Sequence, residues 1–312
     1  MQLRLWALGL AGLLCACGGE GSDSLSDGKV RVVATTSIIA DLVSHVGGDR
    51  VHVDALMGPG VDPHLFKASA RDVTVMAAAD VVVYNGLHLE GKMGDLFAEM
   101  RERGTPTIAV AELGVPDSLR RASALFQGNY DPHVWFDAAL WSRCAQALAA
   151  ELGRLDVDHA DAYGVQGASF ARELEQVDEY VRARVLEVAE VQRVLVTSHD
   201  AFGYFGRAYG FDVRGLQGIS TATEAGTADV QELVELVADR RIPAMFVESS
   251  VSPRGIEAVR EAVRARGFEV SIGGTLYGDA LGAPDSRAAT YSGMVRHNVD
   301  TIVEALTDGT RN

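Results

Sequence analysis

The sequence predicts an α/β protein of two pseudo-symmetric lobes with mainly parallel sheets, joined by one long rigid α-helix. Three observations lead there. In both halves, β-branched runs alternate with stretches whose apolar residues recur every three or four positions. The 312 residues exceed what one hydrophobic core usually holds. Between the halves, segment 159–191 keeps helical spacing with no proline.

The first lobe is expected over 29–158. Val30 to Ser37 reads as a buried strand, and Ile38, Ile39, Leu42, Val43 and Val46 continue at helical spacing. Val51 to Leu56 is a second strand, ending in the loop Gly58-Pro-Gly-Val-Asp-Pro-His64. Ser69 and Asp72 form a capping-box signature for a helix to Ala79, before strands at Asp80 to Gly86 and Thr105 to Ala111. Such alternation implies parallel sheets covered on both faces. Phe170, Leu174, Val177, Val181, Val185 and Val188 form the apolar line of the linking helix, in which Gly164 and Gly167 each cost about 1 kcal/mol against alanine. The second lobe, 192–312, repeats the grammar. Arg193 to Ser198 leads into Phe202 and Phe205; Thr227 caps a helix with Val230, Leu233, Val234 and Val237 on one face; Ala244 to Glu248 is a strand. Ser252-Pro253 opens a further helix that stops at Gly267, ahead of a strand at Phe268 to Ile272.

The N-terminus has the form of a secretory leader: Arg4, the apolar stretch Leu5 to Leu14, then Leu14-Cys15-Ala16-Cys17-Gly18. It is similar to the bacterial lipobox, with 1–16 as the signal peptide and Cys17 as the lipidated residue; an ordinary signal peptide containing cysteines is the alternative. Residues 17–28 suit a flexible tether. Cleavage leaves Cys17 and Cys144, so a lipidated Cys17 excludes a disulfide, and Cys144 lies in the helical stretch Ala138 to Leu152 as a buried, inert thiol. No later uncharged run approaches the roughly 20 residues of a bilayer span. The formal net charge of −15 argues against nucleic acid or anionic lipid as a partner.

Eight histidines are present, and three occupy strand ends or loops: His64 in Asp62-Pro63-His64, His133 in Asp131-Pro132-His133, and His199 in Thr197-Ser198-His199-Asp200. Ligands of parallel sheets bind at the carboxyl ends of strands. In each Asp-Pro-His the proline stiffens the backbone that presents the imidazole. Asp279, in a Gly-rich loop, is a fourth candidate, with Asp200 and Glu224 as substitutes. Three imidazoles and one carboxylate from four loops would close a cage around a metal ion, leaving no position for an activated water. His45, His52, His88, His159 and His297 fall in helical or strand patterns and read as structural, His88 least securely because it too follows a strand. The sequence contains no His-Glu-x-x-His, no Gly-x-Ser-x-Gly and no phosphate-binding glycine loop.

Several segments resemble one family in the right order: Thr35 to Val43, Gly60-Val-Asp-Pro-His64, Ala79 to Gly86, Asp131-Pro-His-Val-Trp-Phe-Asp137, Ser198 to Phe205 and Phe246 to Pro253. They are similar to the solute-binding proteins of ABC importers for manganese and zinc, the cluster A-I binding proteins. The resemblance covers nearly the whole mature chain. It implies two lobes around a rigid helix, His64, His133, His199 and Asp279 as ligands of one divalent transition-metal ion carried as cargo, and delivery of that ion to a membrane permease. It also implies an extracytoplasmic, monomeric, lipid-anchored binding protein rather than an enzyme.

The cargo is expected to be manganese, with zinc able to bind. The His-rich loop of many zinc-specific members is missing between Glu112 and Asn129, and Leu276-Tyr-Gly-Asp-Ala-Leu281 resembles the manganese or mixed-metal branch. Against this, members with a carboxylate in place of His199 are the ones associated with manganese, and ligand softness favours zinc. Two other function classes fit parts of the sequence: a surface metallohydrolase with Glu224 or Glu248 as general base over an open metal site, and an adhesin, as some family members have been called.

Overall fold

A computed structural model describes residues 28–122, 126 and 128–308. The leader and Cys17 lie outside the described residues. In the first lobe, β1 (Val30–Ala34), α1 (Ser37–Gly47), β2 (Val51–Ala55), α2 (Ala70–Ala77), β3 (Val81–Tyr84), α3 (Gly94–Glu102), β4 (Thr107–Ala109), α4 (Val110–Gly114) and α5 (Ala138–Leu155) follow one another. The strands form one parallel sheet of order β2-β1-β3-β4. Order reverses between β1 and β3, and the loops after β1, β2 and β3 leave from that same end, where parallel sheets bind ligands.

Caps fix where the helices begin. Thr36 Oγ1 accepts the amide of Ile39 at the start of α1. The capping box expected at α2 is formed in both directions, Ser69 N–H donating to Asp72 and Asp72 N–H to the Ser69 hydroxyl.

The linking helix α6 runs Ala160–Val185, shorter than the expected 159–191. Glu187 and Val188 donate three residues back instead of four, which tightens the chain and turns Val188 into the core while Leu186 faces solvent. In the second lobe come β5 (Val194–His199), α7 (Gly203–Tyr209), β6 (Asp212–Gln217), α8 (Thr227–Arg240), β7 (Ala244–Glu248), α9 (Arg254–Ala265), β8 (Ser271–Leu276) and α10 (Tyr291–Asp308). β5 pairs in parallel with β6, β7 pairs in parallel with β8, and β5 lies beside β7. Thr227 is the first residue of α8 and not its cap; Gly226 takes that place, its N–H donating to Asp229. The strand expected at 268–272 begins three residues later, at Ser271.

Strand alternation divides the core. Val32, Ala34, Val81 and Val83 point to one face of the first sheet and Val33 and Val82 to the other. Leu195, Ala244 and Phe246 join the same central cluster as Val32, whereas Val194, Val196 and Met245 face α8 and α9. This central cluster takes in α1, α5, α6 and α10, so a single apolar core runs behind both lobes. The linking helix is packed against both and is not a free-standing strut. No described helix is long and apolar enough to cross a membrane.

Polar contacts also reach across this core. Asp41 on α1 accepts the amide of Tyr291 at the start of α10 and lies 3.4 Å from the His45 ring, which stacks on Phe170 of α6. The Asp41 carboxylate outweighs burial and lifts the His45 imidazole to about 9. Because the folded state holds this proton more tightly than the unfolded chain, the contribution is complete below the ordinary imidazole value near 6.5 and disappears as pH rises through about 9. Screening at this half-buried site reduces it to about 1 kcal/mol. Denaturant unfolding should therefore show His45→Gln less stable than the parent at pH 6 and equal to it at pH 9.5; a gap independent of pH would contradict this.

Candidate metal centre

His64, His133, His199 and Asp279 meet in the cleft between the lobes, with one ligating atom of each within 4.8 Å of all the others. Exposure is 4% for His64 and zero for the other three. Two donors come from each lobe. His64 lies within the loop between β2 and α2, His133 precedes a 3-10 turn at Val134–Phe136, His199 is the last residue of β5, and Asp279 lies three residues beyond β8.

Local hydrogen bonds present each imidazole. Asp62 Oδ1 accepts the backbone N–H of His64 at 2.8 Å, and Asp131 Oδ1 accepts that of His133 at 3.0 Å. The aspartate of each Asp-Pro-His thus folds its own motif into a turn, a role the sequence reading assigned to proline alone. Asp131 also reaches the His133 ring, Oδ1 to Nδ1 at 2.8 Å, and its other oxygen pairs with Arg121. His199 Nδ1 lies 2.8 Å from Glu248 Oε2, outside good hydrogen-bond alignment, while Glu248 Oε1 accepts the His199 N–H at 2.8 Å. These two carboxylates turn the Nε2 atoms of His133 and His199 inward, as outer partners of metal-binding histidines do. Trp135 packs edge-on against the His133 ring and donates from Nε1 to Gly278 O, tying the Asp279 loop to the opposite lobe.

The inward atoms are spaced for an ion. His64 Nε2 is 3.4 Å from His133 Nε2 and 3.9 Å from Asp279 Oδ2. Asp279 Oδ1 is 3.3 Å from His133 Nε2, and Oδ2 is 3.3 Å from His199 Nε2. A tetrahedron with edges of about 3.3 Å has its centre about 2.0 Å from each corner, the length of a zinc–imidazole bond. Both Asp279 oxygens, both His199 nitrogens and Glu248 Oε2 are buried without a well-formed hydrogen bond. Such a concentration of unsatisfied polar atoms is costly unless a charge completes it. The donor set therefore fits one divalent cation.

Without that cation, protons carry the balance. Burial works against the Asp279 carboxylate, but His199 and His133 outweigh it and hold its pKa well below the ordinary range. Burial lowers His133, but Asp131 and Asp279 overcome this and raise it to about 9. His199 is likewise lifted well above its usual value, against burial, by Glu248 and Asp279. For His64 burial outweighs the opposing pull of Asp279, 3.9 Å from its ring, and pushes the imidazole down to about 3.

The remaining candidates are elsewhere. Asp200 and Glu224 line a separate cavity, walled mostly by the second lobe and by Phe126 and Asn129 of the first. Glu248 is committed to His199. Neither glutamate is placed as a general base over the cluster. His45, His52, His159 and His297 have local partners in Asp41, Asp54, Asp156 and the Thr275 carbonyl, and His88 is exposed. Among the described residues, Asp131 and Glu248 are the functional side chains that sequence reasoning missed as imidazole partners. The position of Asp131 two residues before His133 was the available signal for one; nothing local marked Glu248.

A two-lobed α/β fold with a buried cage of three histidines and one aspartate defines a class of metal-binding proteins, and the comparisons agree. The family model described as zinc-uptake complex component A, periplasmic, matches residues 32–305, and the chain belongs to that family. It is 46% identical over 301 residues to the zinc-binding protein TroA of Treponema pallidum, covering 96% of each chain. It is 45% identical over 294 residues to the manganese-binding lipoprotein MntA of Bacillus subtilis, covering 94% of this chain and 95% of that one. The solved structure of the periplasmic zinc-binding protein TroA superposes with a TM-score of 0.86 at 47% identity, over 89% of this chain and 99% of the other. These relatives are binding proteins of metal uptake and not enzymes.

Gly278 tests the packing around the cage. A Cβ at this position would lie 2.3 Å from Glu248 Oε2 and 3.3 Å from the His199 ring. Gly278→Ala is expected to displace Glu248 from His199 and weaken Zn2+ or Mn2+ binding about 10- to 100-fold by titration calorimetry. Parent affinity in that variant would show that the Glu248 contact does not orient His199.

Proposed function

We propose that the protein is an extracytoplasmic binding component of an ABC importer that takes up one divalent transition-metal ion through His64, His133, His199 and Asp279 and delivers it to a membrane permease. The observation that carries this reading is the set of inward-facing donors, buried, mutually within ion-binding distance and lacking other partners. The closed donor set suits capture and transfer rather than catalysis. Anchoring through a lipidated Cys17, with 17–28 as tether, would keep the monomer at the membrane.

Manganese is the proposed physiological cargo, with zinc able to occupy the same cage. Both Asp279 oxygens face imidazoles, so a chelating carboxylate would offer five donor atoms, more than the four that zinc needs. Comparable identity to a zinc-binding and a manganese-binding relative fits a cage that accepts either. Metal analysis of protein purified without chelator, with growth rescue of a deletion strain by manganese or by zinc, distinguishes them.

His64→Ala and Asp279→Ala should each lower affinity by more than the roughly 10- to 100-fold typical of losing an outer partner. Chelator-competition titration reads this, and undiminished affinity in both would sink the site assignment. An entering ion must also displace the protons on His133 and His199. Apparent affinity should therefore fall steadily from pH 7.5 to 5.5, with proton release detectable by calorimetry in buffers of different ionisation enthalpy. A flat profile would refute imidazole ligation.

A further inference from the structure

With all four donors buried, an ion enters or leaves only when a wall of the cage moves. We infer that the hydrogen bond between Asp62 and Thr221 is the latch on that wall, and that this pair sets the residence time of the cargo. The inference rests on the reading of the cluster as the cargo site.

The two Asp-Pro-His motifs differ in one respect. In both, the aspartate accepts the backbone N–H of its histidine. Asp131 then turns to the His133 ring, but Asp62 turns away from His64 and accepts the Thr221 hydroxyl through Oδ2 at 2.6 Å. That bond crosses the cleft, from the loop after β2 in the first lobe to the 218–226 loop after β6 in the second. Among the described residues, it is the only hydrogen bond joining residues 58–63 to the second lobe. His64 is the most exposed of the four donors, and Leu65 beside it is 46% exposed, so the shell over the cage is thinnest here.

The 218–226 loop has room to withdraw. Ser220 and Ala222, the neighbours of Thr221, line a cavity of about 710 Å3 that Phe126 and Asn129 of the first lobe also line, while Thr221 itself is buried toward Asp62. The loop thus has the cleft on one side and open volume behind it. The common core behind both lobes resists wide hinging, which leaves a loop movement of this kind as the route of exchange.

The test is release of Mn2+ or Zn2+ from the loaded full chain into excess chelator, followed by stopped-flow. Thr221→Val keeps the shape and removes the hydroxyl; release should be about tenfold faster, the effect of losing one hydrogen bond to a charged acceptor. Association should quicken as well, because entry passes the same wall, so that equilibrium affinity stays close to that of the parent. Thr221→Ser, which restores the donor, should recover the slow release. If valine is not accommodated, Thr221→Ala removes the same group in a smaller volume. Parent release rates in the Val or Ala variant, or fast release in the Ser variant, would overturn the latch. Failure of the parent chain to take up any ion would instead overturn the cargo reading beneath it.

Discussion

The carboxylate of Asp279, wholly buried and without an aligned hydrogen bond to either oxygen, is the constraint on which the site depends. An isolated charge in that position would be untenable. Here it is matched by imidazoles from both lobes, so the carboxylate, once ionised, requires protons or a metal cation between them. Asp131 and Glu248, each against an imidazole, add negative potential from behind. A ring of three carboxylates around three imidazoles favours positive charge at its centre, and a divalent ion would supply as much of it as protons on His133 and His199 while satisfying the Asp279 oxygens directly.

Holding such groups together without an ion needs a scaffold that does not relax. The His64 and His133 Nε2 atoms stand 3.4 Å apart, and one long ring-to-ring contact is too weak to fix that spacing by itself. The restraint comes from the core behind them, where β1 and β3 of the first lobe, β5 and β7 of the second, and α1, α5, α6 and α10 share one apolar cluster. His199 ends β5, and Glu248 ends the adjacent β7, so the position of that pair follows from strand packing. Trp135, buried in the same cluster, bonds across to Gly278 and fixes the Asp279 loop from the other lobe.

Much of this was legible in the sequence because the first lobe obeys local rules. β1 and β3 are runs of valine, the α2 capping box lies within four residues, and three of the donors stand at strand ends or after Asp-Pro. The choice of Asp279 over Asp200 and Glu224 was not decidable from the residues alone, since all three follow second-lobe strands and only the fold brings one into the cage. β8 was misplaced for a related reason. Its Gly273 and Gly274 read as loop, yet a Cβ on Gly273 would strike Ala305 and Phe246, and one on Gly274 would strike Thr301. The glycines mark the close approach of α10, a tertiary contact that local propensity does not report. The same holds for β6, where Arg214, Gly215 and Gln217 give no alternation, and for α10, whose Gly293, His297 and Asn298 interrupt its apolar face.

The three imidazoles are not held alike, and the difference bears on how a closed cage can still exchange its contents. Asp131 and Glu248 brace the rings of His133 and His199 from behind, whereas the aspartate beside His64, Asp62, holds only its backbone amide. Burial keeps His64 neutral in a site where its two companions hold protons, so it needs no proton to leave before it can bind. The donor ready to coordinate is therefore also the one with the least anchored ring and the thinnest cover. The restraint on the cage is therefore uneven, greatest where His133 and His199 back onto their carboxylates and least on the His64 side, away from the common core.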